Sequence, residues 1–295
     1  MRFEYLEPAS VAETVALLGN CRGRAKILAG GTDLVVQIRQ GTLKPDFVIH
    51  IGRIEELKGI TTDPDGGLFI GTLTTMRAIE RSERLTGRWD VLRQGAAQVS
   101  CPQIRNVATL GGNSCNGIPS ADTVPPLIAL GAEAIIMGPR GERKVPMEAF
   151  HRGPGRTVLE ADEFMRGFKI PAPSPCTGGC YLKYTPRGTS ELAIVGVAAL
   201  LTLNPKDGTC QDARIVLGAC GPTPLRTKKA ESLLLGNRLN APIIEKAAHV
   251  AAEESRPNPG VSVRAPAPYR REMVRVWGRY ALKNAWMNAE ASRNS

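Results

Sequence analysis

The sequence predicts a two-domain α+β fold. Its 295 residues exceed the usual size of one domain and suit two. Pro171-Ala-Pro-Ser-Pro175 puts three prolines in five residues, the composition of a stiff linker. The pattern also changes across that linker. Before it, short strands and helices alternate around Gly-rich connections; after it, strands run first and helices follow. The expected domains are 1–172 and 176–286.

The elements follow in order. Ser10-Val-Ala-Glu13 fits a capping box, Ala12, Val15 and Leu18 form a helical stripe, and Gly19 is the expected stop. Lys26-Ile-Leu-Ala29 reads as a strand running into Gly30-Gly-Thr-Asp33, after which Leu34, Val35 and Ile38 start a helix. Phe47–Ile51 and Leu68–Ile70 read as strands, and Met76–Arg84 as a helix. Ser100–Pro126 has little regular pattern, and polar Gly-rich connections of that length commonly carry function. Ile135-Ile136 and Phe164–Ile170 are predicted strands. Beyond the linker, Tyr181–Tyr184, Ala193–Leu203 and Ala213–Ala219 read as three strands, with helices over 226–235, 242–255 and 268–286. Asn288–Ser295 is expected to fray.

Composition removes several functions. Apolar residues make up 42% and charged residues 22%, which suits packed domains rather than disorder. No run approaches the ~20 apolar residues a bilayer span needs, and the first ten residues lack a signal-peptide core. The expectation is a soluble, cytoplasmic chain. The net charge of +10 invites a nucleic-acid partner, but the basic residues are dispersed and aromatics are only 5%, too few for a stacking platform. The seven cysteines (Cys21, Cys101, Cys115, Cys176, Cys180, Cys210, Cys220) are odd in number and scattered. Free thiols are expected, with neither a disulfide framework nor a metal centre.

Two segments carry chemistry: Ala29-Gly-Gly-Thr-Asp33 and Thr109-Leu-Gly-Gly-Asn113. Paired glycines let a backbone approach a ligand and turn N–H groups toward it, and Thr32 and Thr109 add hydroxyls. Together the loops suit a pyrophosphate held from two sides. Neither matches G-x-G-x-x-G or the P-loop, and a Gly-Gly pair also serves as a plain turn.

Four motifs in order, Ala29-Gly-Gly-Thr-Asp-Leu34, Ile70-Gly-Thr-Leu-Thr-Thr75, Gln103-Ile-Arg-Asn-Val-Ala-Thr-Leu-Gly-Gly-Asn113 and Pro119-Ser-Ala-Asp122, resemble the FAD-binding (medium) subunits of molybdenum hydroxylases. Bacterial xanthine dehydrogenase FAD subunits are the nearest likeness, and carbon monoxide dehydrogenase medium subunits belong to the same group. The resemblance extends to His151-Arg-Gly-Pro-Gly155 and Tyr269-Arg-Arg271. It implies a two-lobed FAD-binding domain of the vanillyl-alcohol oxidase type, with lobes near 1–57 and 58–172, and a C-terminal domain of three strands and a helical layer.

Carried over by position, the resemblance implies FAD contacts at Ile27, Leu28, Ala29, Gly30, Gly31, Thr32, Asp33 and Leu34, with Gly30, Gly31 and Thr32 donating to the pyrophosphate. Thr109, Leu110, Gly111, Gly112 and Asn113 would close on the same phosphates. Asp122 would bind the adenosine end, its bland alternative being an N-cap. Met165 would make an apolar contact, Lys183 would lie near the flavin, and Leu192 would stand where relatives place Tyr or Ile over the ring. Cys115 follows the second loop and reads as a packed residue. The implied partners are a small subunit with two 2Fe-2S clusters and a large subunit with molybdopterin, in a heterotrimer able to dimerise. NAD+ or another acceptor would take the electrons. On this view the chain is whole as a subunit and partial as an enzyme. Two other readings stay open: a stand-alone flavin oxidase or dehydrogenase of the same fold, and a non-catalytic nucleotide-binding protein.

Overall fold

The computed structural model describes residues 2–172, 174–188, 190–258 and 265–294; of the expected linker, Pro173 lies outside them. The first lobe is built from β1 (Glu4–Leu6), α1 (Val11–Cys21), β2 (Ala25–Leu28), α2 (Leu34–Arg39) and β3 (Phe47–His50). β3 pairs in parallel with both neighbours, giving the order β1-β3-β2. Parallel neighbours need crossover connections, and α1 and α2 supply them. Ser10 caps α1 by accepting the Glu13 N–H at 3.1 Å, as the capping box predicts. The helix then runs past Gly19 and stops at Arg22, which takes the left-handed conformation at φ 48° and donates its N–H to the Gly19 carbonyl. The core under α1 joins Leu18 and Cys21 to Ile49, Ile51 and Leu57, and takes in Leu73 and Phe164 from the second lobe.

The second lobe contains β4 (Ile60–Thr62), β5 (Leu68–Gly71), α3 (Met76–Glu80), α4 (Asp90–Ala97), α5 (Pro102–Arg105), α6 (Leu110–Cys115), α7 (Val124–Ala129), β6 (Glu133–Gly138), β7 (Gly141–Pro146), α8 (Met147–Phe150), β8 (His151–Gly153), β9 (Arg156–Thr157) and β10 (Phe164–Ile170). Five strands form an antiparallel sheet in the order β4-β5-β10-β6-β7. Met76, Ile79, Leu92 and Leu127 from the helices pack with Ile70, Ile136 and Phe168 from the sheet. The Ser100–Pro126 stretch is not irregular, as its composition suggests. It holds α5, α6 and the start of α7, helices too short to show a 3.6-residue stripe.

The C-terminal domain is an antiparallel sheet of β11 (Thr177–Tyr184), β12 (Val195–Leu203), β13 (Cys210–Gly218) and β14 (Leu225–Arg226), followed by α9 (Lys228–Leu234), α10 (Ala241–Glu254) and α11 (Ala267–Asn294). The sheet has four strands where three were expected; β14 is only two residues long. Alternate residues of β12 face different cores. Val197, Ala199 and Leu201 pack with Ala247, Ala251 and Leu282 of the helical layer, while Ala198 and Leu200 join the core of the second lobe. β12 is therefore buried throughout, and its sequence shows a continuous apolar run instead of alternation.

The expected fraying of the C-terminus is overturned. α11 remains helical to Asn294, with Ala285 and Ala289 wholly buried and Asn288 Nδ2 donating to the Gly179 carbonyl at 2.9 Å. The reason lies in β11, where a Cβ at Gly178 would overlap the Ala289 backbone nitrogen; glycine lets helix and strand touch. No helix among the described residues is long and apolar enough to cross a membrane. Gly178→Ala should therefore cost about 1–3 kcal/mol by overpacking, read as a fall in denaturant midpoint, while Gly19→Ala, in α1 with open space around it, should cost nothing.

Candidate functional site

Ile27 and Leu28 end β2, Ala29 to Asp33 form the loop, and Leu34 opens α2. The loop is pressed against the second lobe: a Cβ on Gly30 would fall on the Val107 carbonyl, so only glycine fits there. Gly31 adopts φ 72° with Leu28 and Val35 close by, a second requirement for glycine. Behind this contact, Met76 donates its N–H to the Ala108 carbonyl at 2.8 Å, and Leu110 and Gly111 donate theirs to Thr74 and Thr72 at 3.0 and 2.9 Å. A Cβ on Gly111 would collide with the Thr72 hydroxyl. The Ile70–Thr75 motif is thus the cradle that shapes the second glycine loop.

The two loops differ in what they offer. Among the described residues, no acceptor takes the N–H groups of Gly30, Gly31, Thr32, Asp33 or Leu34. Five successive donors at a half-buried loop suit an anion. The second loop does not offer the N–H groups expected of it. Those of Leu110 and Gly111 go to Thr74 and Thr72, that of Gly112 to Thr109 Oγ1 at 3.1 Å, and that of Asn113 to the Thr109 carbonyl at 3.0 Å. Thr109 is the N-cap of α6, so its role is to hold the loop's shape, with its own hydroxyl proton still available. Burial raises the Asp33 carboxyl above its ordinary range, opposed by a hydrogen bond from Asn116.

Asp122 and Lys183 meet at the seam between the domains. Lys183 Nζ donates to Asp122 Oδ2 at 2.8 Å and to the Gln98 carbonyl at 3.0 Å, with the two side chains 4% and 7% exposed. Tyr181, two residues back on the same face of β11, donates its hydroxyl to Asp122 Oδ1 at 2.8 Å. Thr123 donates to Asn113 Oδ1 at 2.7 Å, tying this cluster to the second glycine loop. The two residues expected at different ends of the cofactor, Asp122 at the adenosine and Lys183 near the flavin, are in direct contact here. Nor does the Asp122 side chain cap α7, whose N-cap is Thr123. Burial pushes the Asp122 carboxyl up to about 6 against the pull of Lys183 and Tyr181. The Tyr181 phenol lies well above its ordinary value through burial first and then the Asp122 charge, so it remains a donor.

The other expected contacts are dispersed. Met165 is a core residue of β10, 2% exposed. Leu192, 42% exposed, lies on the loop between β11 and β12. His151 Nε2 meets the Ser114 carbonyl at 2.9 Å, bracing α6 from behind, and burial lowers its pKa. Cys115, half-buried and packed against the core of the second lobe, has its thiol pushed up to about 12 by desolvation. Tyr181, Gln98, Thr123 and Val107 were not singled out by sequence. Only their approach in three dimensions marks them.

Residues 1–173 match the family of the FAD binding domain in molybdopterin dehydrogenase, and residues 180–285 that of the CO dehydrogenase flavoprotein C-terminal domain. The chain belongs to the FAD-binding subunits of xanthine and carbon monoxide dehydrogenase type, within the molybdenum-dependent oxidoreductases. It is 33% identical over 282 residues to the xanthine dehydrogenase FAD-binding subunit of Escherichia coli O157:H7, covering 95% of each chain. It is 34% identical over 285 residues to the carbon monoxide dehydrogenase medium chain of Hydrogenophaga pseudoflava, covering 97% of each. A solved structure of carbon monoxide dehydrogenase from that organism superposes with a TM-score of 0.92 over 98% of both chains.

Two outcomes follow from this geometry. Gly30→Ala should lower the FAD content of purified protein at least tenfold, because it separates the two loops; the flavin absorbance reads it directly. Asp122→Asn leaves Lys183 buried without its counter-charge and should cost about 3–5 kcal/mol. Asp122→Asn with Lys183→Met should recover much of that in a double-mutant cycle. The raised Asp122 pKa sets the sign with pH. Its contribution to stability is complete below the ordinary 3.8 and lost as pH rises through about 6, so the Asn variant should lack that component of the pH profile.

Proposed function

We propose that this chain is the FAD-carrying electron-transfer subunit of a molybdenum hydroxylase complex. Electrons would arrive from 2Fe-2S clusters of a small partner subunit, after hydroxylation at molybdopterin in a large one, and leave to NAD+ or another acceptor. The observation that carries the reading is the run of five N–H groups at 30–34 without an acceptor among the described residues, in the loop whose Gly30 lies against the Val107 carbonyl of the second lobe.

FAD, when bound, supplies the exchange between single-electron and hydride transfer; the protein's part is binding, positioning and electrostatics. In this reading Gly30, Gly31 and Thr32 donate to the pyrophosphate, Ile27 to Leu34 supply the surrounding wall, and Thr109 to Asn113 form the opposing face. Met165 supports that face from the core. Leu192 shields the ring edge without hydrogen-bonding. Lys183 tunes the flavin through the balance of its charge against Asp122, and the partners form a heterotrimer with this chain.

The reading is tested by co-expressing the chain with its two candidate partners and titrating the yellow complex anaerobically. Reduction by NADH supports NAD+ as acceptor, while a flavin reduced by substrate but not by NADH points to another acceptor. A colourless chain that takes up no FAD would overturn the reading. Lys183→Met should lower the flavin midpoint potential, because a cation that favours the anionic reduced form has been removed.

A further inference from the structure

Tyr181 has no part in the function described so far, yet it is placed with unusual care. Its ring is buried in the core that joins the two domains, and its hydroxyl reaches Asp122 Oδ1 at 2.8 Å. Its backbone N–H is held by Gln94 Oε1 of α4 at 2.7 Å. Directly across the sheet from Lys183 stands Gly196, where a Cβ would come within 2.6 Å of the Tyr181 hydroxyl. Glycine at that position keeps the space the phenol needs. Tyr181 and Lys183 thus grip opposite oxygens of one carboxylate, and the carboxylate belongs to the other domain.

A buried carboxylate with a single partner can turn or take up a proton; one held by two donors on its two oxygens is fixed in direction and favoured in charge. We propose that Tyr181 is a positioning residue that fixes the Asp122 carboxylate against Lys183, and so sets how much of the lysine's positive charge reaches the FAD held along this seam. The proposal rests on the FAD-carrying reading above. Without Tyr181 the carboxylate is a poorer counter-ion, and the lysine acts as a less compensated cation.

The groups facing Asp122 are few. Lys183 and Tyr181 approach from β11, Gln94 of α4 and Gln98 just after it contact those two residues and are neutral, and Cys220 beyond Tyr181 has its thiol pushed up to about 12 by burial. His151, whose pKa burial lowers, faces Ser114 and not Asp122.

The experiment measures the flavin midpoint potential of the FAD-loaded full-length chain between pH 5 and 8.5 in five proteins: unchanged, Tyr181→Phe, Gly196→Ala, Asp122→Asn, and Tyr181→Phe with Asp122→Asn. The unchanged chain should show a bend near pH 6. Tyr181→Phe should move that bend up by about one pH unit, since a hydrogen bond to the charged form has gone. Gly196→Ala should move it the same way while keeping the phenol, which covers the case in which the Phe variant fails to fold. Asp122→Asn should abolish the bend, and adding Tyr181→Phe should then change nothing. An unmoved bend in both Tyr181→Phe and Gly196→Ala overturns the proposal. So does a Tyr181→Phe effect of equal size in the Asp122→Asn background, because the phenol would then act through packing alone. Failure of the unchanged chain to bind FAD is seen in the absorbance beforehand and rejects the FAD-carrying reading itself.

Discussion

The contact of Gly30 with the Val107 carbonyl is the constraint from which the rest of the nucleotide site follows. Two lobes of different architecture, one a small parallel sheet and one a larger antiparallel sheet, meet where the first can carry no side chain, because a Cβ on Gly30 would fall on the Val107 carbonyl of the second. The apolar core confirms the fusion, since Leu73 and Phe164 pack with the first lobe's Ile49 and Leu57. The loop runs straight into α2, whose first bond is from the Val35 N–H to the Gly31 carbonyl, and among the described residues the N–H groups of 30–34 have no acceptor. Those of Thr32, Asp33 and Leu34 are the donors that the start of α2 leaves without an intrahelical acceptor. Gly111 plays the matching role on the other side, letting the second loop settle on Thr72.

A second constraint lies at the domain seam. Burying an ion pair is costly unless each partner is also hydrogen-bonded, and here the Lys183 ammonium has the Gln98 carbonyl while the Asp122 carboxylate has the Tyr181 hydroxyl. The cluster draws on α4, the segment before α7, and β11, so it exists only when the domains are docked. β12 contributes to the same docking through apolar contacts, with Ala198 and Leu200 in the core of the second lobe. Apolar packing supplies the area and the polar cluster supplies the register, because a shifted sheet would leave a buried carboxylate without donors.

Much of this was legible in the sequence wherever one residue type has one physical reason. The capping box at Ser10, the strand over Phe164–Ile170 and the paired glycines each express a local requirement. The motif order identifies the family because these requirements recur at set separations. The remainder depends on contacts distant in the chain. Gly19 is a reasonable stop, yet Arg22 terminates α1 and the glycine is absorbed in its last turns. The polar tail after Trp286 looks frayed by composition, yet Ala281, Ala285 and Ala289 recur at every fourth residue and are wholly buried, the last two against Gly178. Tyr181 reads as one more aromatic in a strand, since nothing local reveals a carboxylate 59 residues away.

The asymmetry of the two glycine loops also explains why neither matches a standard nucleotide motif. In a dinucleotide fingerprint or P-loop, one loop supplies both shape and donors, so the glycine spacing must satisfy both at once. Here the tasks are divided. The second loop spends its N–H groups on Thr72, Thr74 and Thr109, becoming a rigid wall whose position is set by its own sheet. The first loop keeps its donors and takes its shape from that wall. Each then needs only a Gly-Gly pair, one to admit a carbonyl and the other to admit a hydroxyl. A substitution in the wall would accordingly shift the donors of the first loop as well as the wall's own face.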